Sequence, residues 1–327
     1  MRRIVRSEAI CLRVQDYHES SKLVTFFTLE RGKVNCLAKG ARRLRSKFGA
    51  ALDLFAQSRI IYYSHETRTL LTLSDAELVH SFNFSRLPTP DSLSRFLAAE
   101  QMSEFALRVI QPLDPSPQLY RLLLNYLSTL ESLQDLEAKE SRNQGVKGSS
   151  VRPGTRILES STPRPLPEAL VCSFLLKAAS FLGFRPELRR CVICRRPTEG
   201  PRPSYFDAGR GGIVCARCAG ERGDQTDAPQ SPFANRHSPF AAMTRLDAAS
   251  LDTLCFLLYT PASEIAQLSC AGPHPAGPLT GLLTSSPLAS LQSQFPALEL
   301  VLNFLGHHFD PLVLNSFRWH AALERNT

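Results

Sequence analysis

No stretch of this 327-residue chain approaches 18 uninterrupted apolar residues, so no helix in it is expected to span a membrane. The opening MRRIVRSEAI carries charge with no long apolar core behind it, which argues against a secretory signal. A disulfide framework is missing too. Of nine cysteines, Cys11, Cys36, Cys172, Cys255 and Cys270 are scattered, most of them in apolar settings, as suits a reducing cytoplasm. Catalytic signatures are equally scarce. There is no HExxH, no HxE followed by the CxxC of a zinc deaminase, and no Walker A loop: Gly211-Gly212 is not followed by the required Lys and Ser/Thr. His18-Glu19 and His65-Glu66 lack a second histidine. His307-His308 point to different faces of a helix and make a poor chelate; they read as a helix C-terminus. The single tryptophan, Trp319, reads as a packing anchor. Nothing favours Ser-His-Asp or Cys-His catalysis, so an enzyme is not expected.

One further absence is local. Lys39, Arg42, Arg43, Arg45 and Lys47 fall within nine residues with no acid among them. Like charges this close repel, and they must be solvated or face an anion, of which phosphate is the usual one. The whole chain carries a formal +8, and residues 1–82 hold fourteen Arg and Lys against eight Asp and Glu, a net +6. The main electrostatic footprint therefore sits on the first quarter of the chain. Arg2 and Arg3 join Lys39, Arg42, Arg43, Arg45 and Lys47 as candidate nucleic-acid contacts.

That quarter reads as strands. Residues 8–14 alternate, with Ala9, Cys11 and Arg13 on one face and Ile10, Leu12 and Val14 on the other. Residues 22–29 and 33–38 flank a turn at 30–33, and residues 54–63 pair with 67–73 across 64–66. Five short, closely spaced strands predict a small closed barrel over residues 1–82, of the oligonucleotide-binding type whose groove fits single strands. Tyr17, Phe26, Phe27, Phe48, Phe55, Tyr62 and Tyr63 are mostly core by this pattern. Phe48, inside the basic loop, is the best candidate for stacking on a base.

Beyond Pro88 and Pro90 the period becomes helical. Phe96, Ala99, Met102, Phe105, Ala106 and Val109 form one stripe, and Leu119, Leu123, Leu127 and Leu130 a second. Residues 137–167 are polar and rich in Gly, Ser and Pro, and read as a flexible insertion; residues 221–238 and 270–287 read the same way. A third helix spans about 168–183, with Leu170, Phe174, Ala178 and Phe181 on one side. Further helices are expected over 246–268 and 288–309. The domains are thus 1–82, a helical domain over 88–190 that resumes at 240–327, and a small module at 191–222. The fold class is multi-domain α+β.

The small module carries the most specific local signal. Cys191-Val192-Ile193-Cys194 and Cys215-Ala216-Arg217-Cys218 are two CxxC pairs separated by twenty residues. Each pair can clamp one edge of a metal ion, and two pairs complete a tetrahedral thiolate set suited to zinc. Four protein ligands leave no open position for a substrate water, so the ion is expected to be structural. An iron–sulfur cluster is the alternative, separable by its visible absorbance. Arg189, Arg190, Arg195, Arg196 and Arg217 are expected to favour the thiolate form. Residues 205–214 between the pairs read as a short hairpin.

Taken in order, several of these stretches resemble the RecO family of recombination and repair proteins. In the first domain they are Glu8 to Arg13, Glu19-Ser20-Ser21-Lys22-Leu23-Val24, Thr28-Leu29-Glu30-Arg31-Gly32-Lys33, Ala38-Lys39-Gly40-Ala41-Arg42-Arg43 and Thr72-Leu73-Ser74-Asp75-Ala76-Glu77-Leu78. In the centre they are Leu182-Gly183-Phe184-Arg185-Pro186-Glu187-Leu188, running into the first cysteine pair, and Gly211-Gly212-Ile213-Val214 running into the second. The last hundred residues match weakly. The resemblance implies an oligonucleotide-binding barrel, a helical domain and a four-cysteine zinc finger. It implies binding of single- and double-stranded DNA, annealing of complementary strands, and loading of a recombinase onto strands coated by single-strand-binding protein. RecR and the C-terminal tail of single-strand-binding protein are the implied partners, and the setting is the bacterial cytoplasm, associated with the nucleoid. The three polar segments look like insertions into the family pattern.

Two other classes remain open from sequence: a zinc-containing protein-interaction adaptor without annealing activity of its own, and a zinc hydrolase with an exchangeable metal. The electrostatic reading predicts that affinity for an oligonucleotide falls linearly on a log–log plot as salt rises. Fluorescence anisotropy over a salt series measures this, and an affinity that stays flat would remove phosphate neutralisation as the source of binding.

Overall fold

Five strands pair in a ring. The computed structural model describes residues 3–65, 69–84, 90–144, 167–198, 204–223, 243–268 and 296–309. Its first strands are β1 (Arg3–Tyr17), β2 (Ser21–Thr28), β3 (Gly32–Ala38), β4 (Gln57–Ser64) and β5 (Leu70–His80). Their hydrogen-bonded order is β1-β2-β3-β5-β4, and β4 returns to pair with β1, which closes the sheet on itself. All pairs are antiparallel except β3 with β5. β1 is much longer than the stretch read from alternation because it serves two neighbours. Residues 3–10 pair with β4 and residues 9–17 with β2.

A register shift between Cys11 and Arg13 corrects the faces expected for β1. One extra residue in a strand moves every later side chain to the other side of the sheet. Ala9 and Cys11 share the closed interior, and Val14 joins them there instead of following Ile10 and Leu12. Val24, Phe26, Val34, Cys36, Ile60, Tyr62, Leu71, Leu73 and Ala76 fill the rest of that interior. Phe48, Ala51 and Leu52, from the end of the basic loop and a short 3-10 helix (Gly49–Leu52), plug it.

Two helices cover the outside of this sheet: α1 (Pro90–Val109) and α2 (Pro117–Gln144). Phe27, on the outer face of β2, meets Tyr120 of α2 at 5.4 Å, and Phe55 meets Phe96 of α1 at 5.7 Å. The link between the helices bonds the start of β3, through Lys33 N–H to the Gln111 carbonyl and Leu113 N–H to the Lys33 carbonyl. Both helices thus count with the sheet in a first compact unit within residues 1–157, whereas the sequence pattern groups them with residues 168–190. α2 also runs through Gln144, so residues 137–144 are helical and not part of an insertion loop. Glu, Ala, Lys, Arg and Gln in that stretch are good helix formers even without an apolar stripe. Residues 145–166 lie outside the described ones, as do Cys270, the segment 270–287 and Trp319.

The second unit lies within residues 158–313. Its central helix is α3 (Pro167–Phe181), buried nearly all round, with Val171, Leu175 and Ala179 as well as the expected Leu170, Phe174 and Ala178. Such a helix belongs in the middle of a bundle. Phe181, expected on the same stripe, is instead half exposed at the helix end. The hairpin expected between the cysteine pairs is present as β6 (Ser204–Asp207) and β7 (Gly212–Cys215). A third strand, β8 (Met243–Leu246), adds to β6 and has no counterpart in the sequence reading, because four residues are too few for a period. α4 (Ala216–Gly223) follows β7 and takes in residues 221–223 of the expected polar connector. α5 (Ala248–Tyr259), α6 (Ala262–Leu268) and α7 (Pro296–His308) complete the unit around α3. Among the described residues no helix is long and apolar enough to cross a membrane.

Gly32 shows how tightly the first unit is fitted. Its φ is +61°, and a Cβ there would lie 2.0 Å from the Asp114 carbonyl oxygen. Gly32→Ala is expected to cost about 1–3 kcal/mol from the backbone conformation alone, with the clash in addition. Urea denaturation at equilibrium checks this.

Candidate nucleic-acid interface and metal centre

The basic loop leaves β3 at Lys39 and returns to the core at Phe48. Gly40, at φ +73°, makes the first bend, and Arg43 N–H closes a turn on the Gly40 carbonyl at 3.2 Å. Two of the five cations hold the loop in place. Arg42 donates its backbone N–H to the Ser20 carbonyl at 3.0 Å and a guanidinium N–H to the His18 carbonyl at 3.1 Å, and its Nε lies 3.4 Å from Asp16 Oδ2. Lys47 donates to the Ser74 carbonyl on β5, with its ammonium 5.3 Å from the Phe48 ring centre. Between these tethers Arg43 and Arg45 are exposed, Leu44 between them is fully exposed, and Lys39 is exposed at the loop entrance. Lys39, Arg43 and Arg45 have no ion-pair partner among the described residues. A loop fixed at both ends thus presents three uncompensated charges. Arg3 is exposed at the start of β1, and Arg2 lies outside the described residues.

Phe48 is corrected as a stacking candidate. It is only 4% exposed and packs in the sheet interior, since the loop must bury an apolar residue to be anchored. Phe26, Phe27, Phe55 and Tyr62 are buried as well. The exposed ring near the loop is Tyr17, in edge contact with His18 at 4.1 Å, on the turn that Arg42 grips. Sequence alternation ranks it with the core. Its neighbours Asp16 and His18, polar on both sides at a strand end, are the signal that could have separated it.

A cleft of about 720 Å³ opens between the outer face of β1–β3 and α1, lined by Arg13, Thr25, Lys33, Asn35, Glu100 and Glu104 among others. Burial, reinforced by Glu104, pushes the Glu100 carboxyl up, and burial with Arg108 nearby pushes the Lys33 ammonium down.

In the second unit the four cysteines converge, with their Sγ atoms all within 4.8 Å of one another. Among the described residues they are the only group of three or more such donors placed to hold a metal ion. Cys191 and Cys194 sit on a turn closed by Arg195 N–H on the Cys191 carbonyl, with Arg195 at φ +61°. Cys215 ends β7, and Cys218 lies in the first turn of α4. Cys194 and Cys215 Sγ are 3.7 Å apart. Four thiolates about 2.3 Å from a tetrahedral ion have edges of ~3.8 Å, whereas a disulfide needs ~2.05 Å. All four thiols are free. The donor set and its spacing thus fit a soft, four-coordinate ion.

Burial raises the Cys191 thiol, but N–H groups of Cys194, Cys215 and Ile193 and the Cys194 thiol outweigh it and hold it at about 6. This corrects the role expected for the arginines: the lowering comes from the backbone. Burial, then the surrounding thiols, pushes Cys218 up to about 12. Four thiols this close cannot all ionise unless a cation sits among them. Glu187 and Gly212 lock the site from below. Glu187 exchanges backbone bonds with Gly211 and Ile213, and a Cβ on Gly212 would lie 2.6 Å from the Glu187 carbonyl oxygen. Cys191→Ser with Cys215→Ser, or chelation of the wild type, is expected to lower the melting temperature and release bound metal. Calorimetry with elemental analysis reads both.

Residues 1–82 match the family description "Recombination protein O N terminal", and residues 157–270 match "Recombination protein O C terminal". The chain is 32% identical over 215 residues to the DNA repair protein RecO of Anaeromyxobacter sp. (strain K), covering 66% of this chain and 70% of that protein. It is 33% identical over 215 residues to the DNA repair protein RecO of Cutibacterium acnes, covering 65% and 73%. With that of Salinibacter ruber it shares 38% over 129 residues, 39% of this chain and 48% of the other. With its closed five-stranded sheet and its four-cysteine cluster in place, the chain belongs to the RecO family of DNA repair proteins.

Proposed function

We propose that this chain is a non-catalytic DNA-handling protein that anneals complementary single strands and helps load a recombinase onto DNA coated by single-strand-binding protein. In this reading the closed sheet is a barrel of the oligonucleotide-binding type. The observation that carries it is the tethered loop, in which Lys39, Arg43 and Arg45 extend into solvent without a counter-charge. Phosphate is the anion that such a surface meets in a nucleic-acid strand. Neutralising one strand lowers its repulsion for a second, so that bases can find their complements. The loop reads no base edges, so binding is independent of sequence and applies to single- and double-stranded DNA. Arg2 and Arg3 are further proposed contacts with the strand, Arg3 being exposed at the start of β1.

The metal in this reading is one structural zinc ion, held by Cys191, Cys194, Cys215 and Cys218. It orders the module and takes no part in a reaction. RecR and the C-terminal tail of single-strand-binding protein are the proposed partners, and the bacterial nucleoid in the cytoplasm is the proposed setting.

The test is annealing of labelled complementary oligonucleotides by the purified protein alone, over a salt series. Arg43→Ala with Arg45→Ala is expected to weaken binding on every sequence and to flatten the log–log salt slope by about 1.4, roughly 0.7 per single-strand phosphate contact. Arg42→Ala is expected to lower stability by ~0.5–1.5 kcal/mol through lost tethers while changing the slope less. Wild-type protein that binds no oligonucleotide and anneals nothing would leave the adaptor as the better account.

A further inference from the structure

The arginines flanking the first cysteine pair are not committed to the thiols, and two of them meet at a ring. Arg185 and Arg189 place their guanidinium carbons over Tyr259, 5.3 and 4.4 Å from its centre. Tyr259 is the last residue of α5 and is 39% exposed; Arg185, Arg189 and the adjacent Arg190 are exposed as well. The backbone carrying them is held rigidly. Pro186 and Leu188 alternate with the arginines and are buried, and Glu187 bonds to Gly211 and Ile213 through both its N–H and its carbonyl.

The carboxylates nearby, Glu187 and Asp252, offset only part of the charge of three arginines and leave the surface net positive. Glu187 spends Oε1 on the backbone N–H groups of Arg189 and Arg190, at 3.0 and 3.2 Å. Asp252, the other acid close enough for Cys255 to feel along with Arg189, is exposed. Among the described residues no carboxylate forms an ion pair with Arg185, Arg189 or Arg190. Two guanidinium groups are therefore fixed against one ring within roughly one Debye length of each other at 0.1 M salt, ~10 Å. A stacked guanidinium keeps its N–H fork free at the edge, and that fork matches the paired oxygens of a phosphate.

We propose that the surface formed by Arg185, Arg189, Arg190 and Tyr259 is a second nucleic-acid site, which grips the sugar–phosphate backbone of a strand independently of the loop at 39–48. It extends the reading above. With one polyanion surface on each compact unit, a single chain holds two strands at once. The repulsion between complementary strands is then offset at both partners, not at one.

The test uses the full-length, metal-loaded protein and a dye-labelled oligothymidine of about 12 nucleotides, long enough for one barrel-type site. At low salt the wild type is expected to saturate at two oligonucleotides per chain. Arg185→Glu with Arg189→Glu is expected to reduce this to one and to slow annealing about tenfold or more, with metal content and circular dichroism unchanged. Arg185→Lys with Arg189→Lys keeps the charge and is expected to keep most of the second site; Arg185→Gln with Arg189→Gln carries the test if the Glu pair misfolds. Saturation at one in the wild type, or at two in the Glu and Gln pairs, overturns the proposal. So does polyglutamate displacing the second oligonucleotide at equal charge concentration, since the surface would then be an acidic-peptide site. If Arg43→Ala with Arg45→Ala leaves two sites intact while the Arg185 and Arg189 pair removes one, this surface stands and the loop reading fails.

Discussion

The first unit depends on how the end of a charged loop is buried. A ring of five strands encloses an interior that its own side chains do not fill. Phe48, Ala51 and Leu52 supply the missing volume. Cys11 Sγ sits 3.6 Å from the Leu52 carbonyl, and Ser58 Oγ donates to the Ala51 carbonyl at 2.9 Å, so the plug is also hydrogen-bonded in place. Burying an aromatic ring and two aliphatic side chains contributes several kcal/mol, far more than any exposed ion pair in the loop. The loop's position is therefore set by apolar packing, while its charges stay in water.

That division of labour separates residues that composition treats alike. Arg42 reaches back to the His18 carbonyl in the turn between β1 and β2 and Lys47 to the Ser74 carbonyl within β5, and Arg43 and Arg45 make no such bond among the described residues. The same separation recurs in the second unit. Backbone N–H groups draw the Cys191 thiol down, and the guanidinium groups of Arg185 and Arg189 lie over Tyr259. In both units local backbone geometry meets the structural demands and leaves cations in solvent. An anion-binding surface needs that arrangement, because a cation already paired within the protein must lose one partner before it gains another.

Much of the fold was legible where a period or a spacing carried it. Strand β3, with alternate residues buried, came out close to its observed limits, and so did β2 and α3. The cysteine pairs were legible because two-residue spacing imposes a turn whatever surrounds it. Elements without a period were not. β8 is four residues long, and residues 137–144 of α2 carry no apolar period in the sequence. The bulge at Cys11–Arg13 also escaped, since a register shift depends on which strand lies alongside, and alternation along one strand contains no such information.

The linear order of residues determined by itself which chemistry the chain carries: an acid-free cluster of cations at 39–47, and four thiols in two pairs. Both follow from short-range facts, charge repulsion and turn geometry, that act between near neighbours. Only the tertiary structure decided which of those cations are free. That depends on Asp16, His18, Ser20 and Ser74, brought to the loop by strand pairing from up to 27 residues away. It likewise decided that Phe48 is core and that Tyr259 receives two arginines from a distant part of the chain. Contacts at such separation are made when packing brings remote segments together, and no local pattern records them.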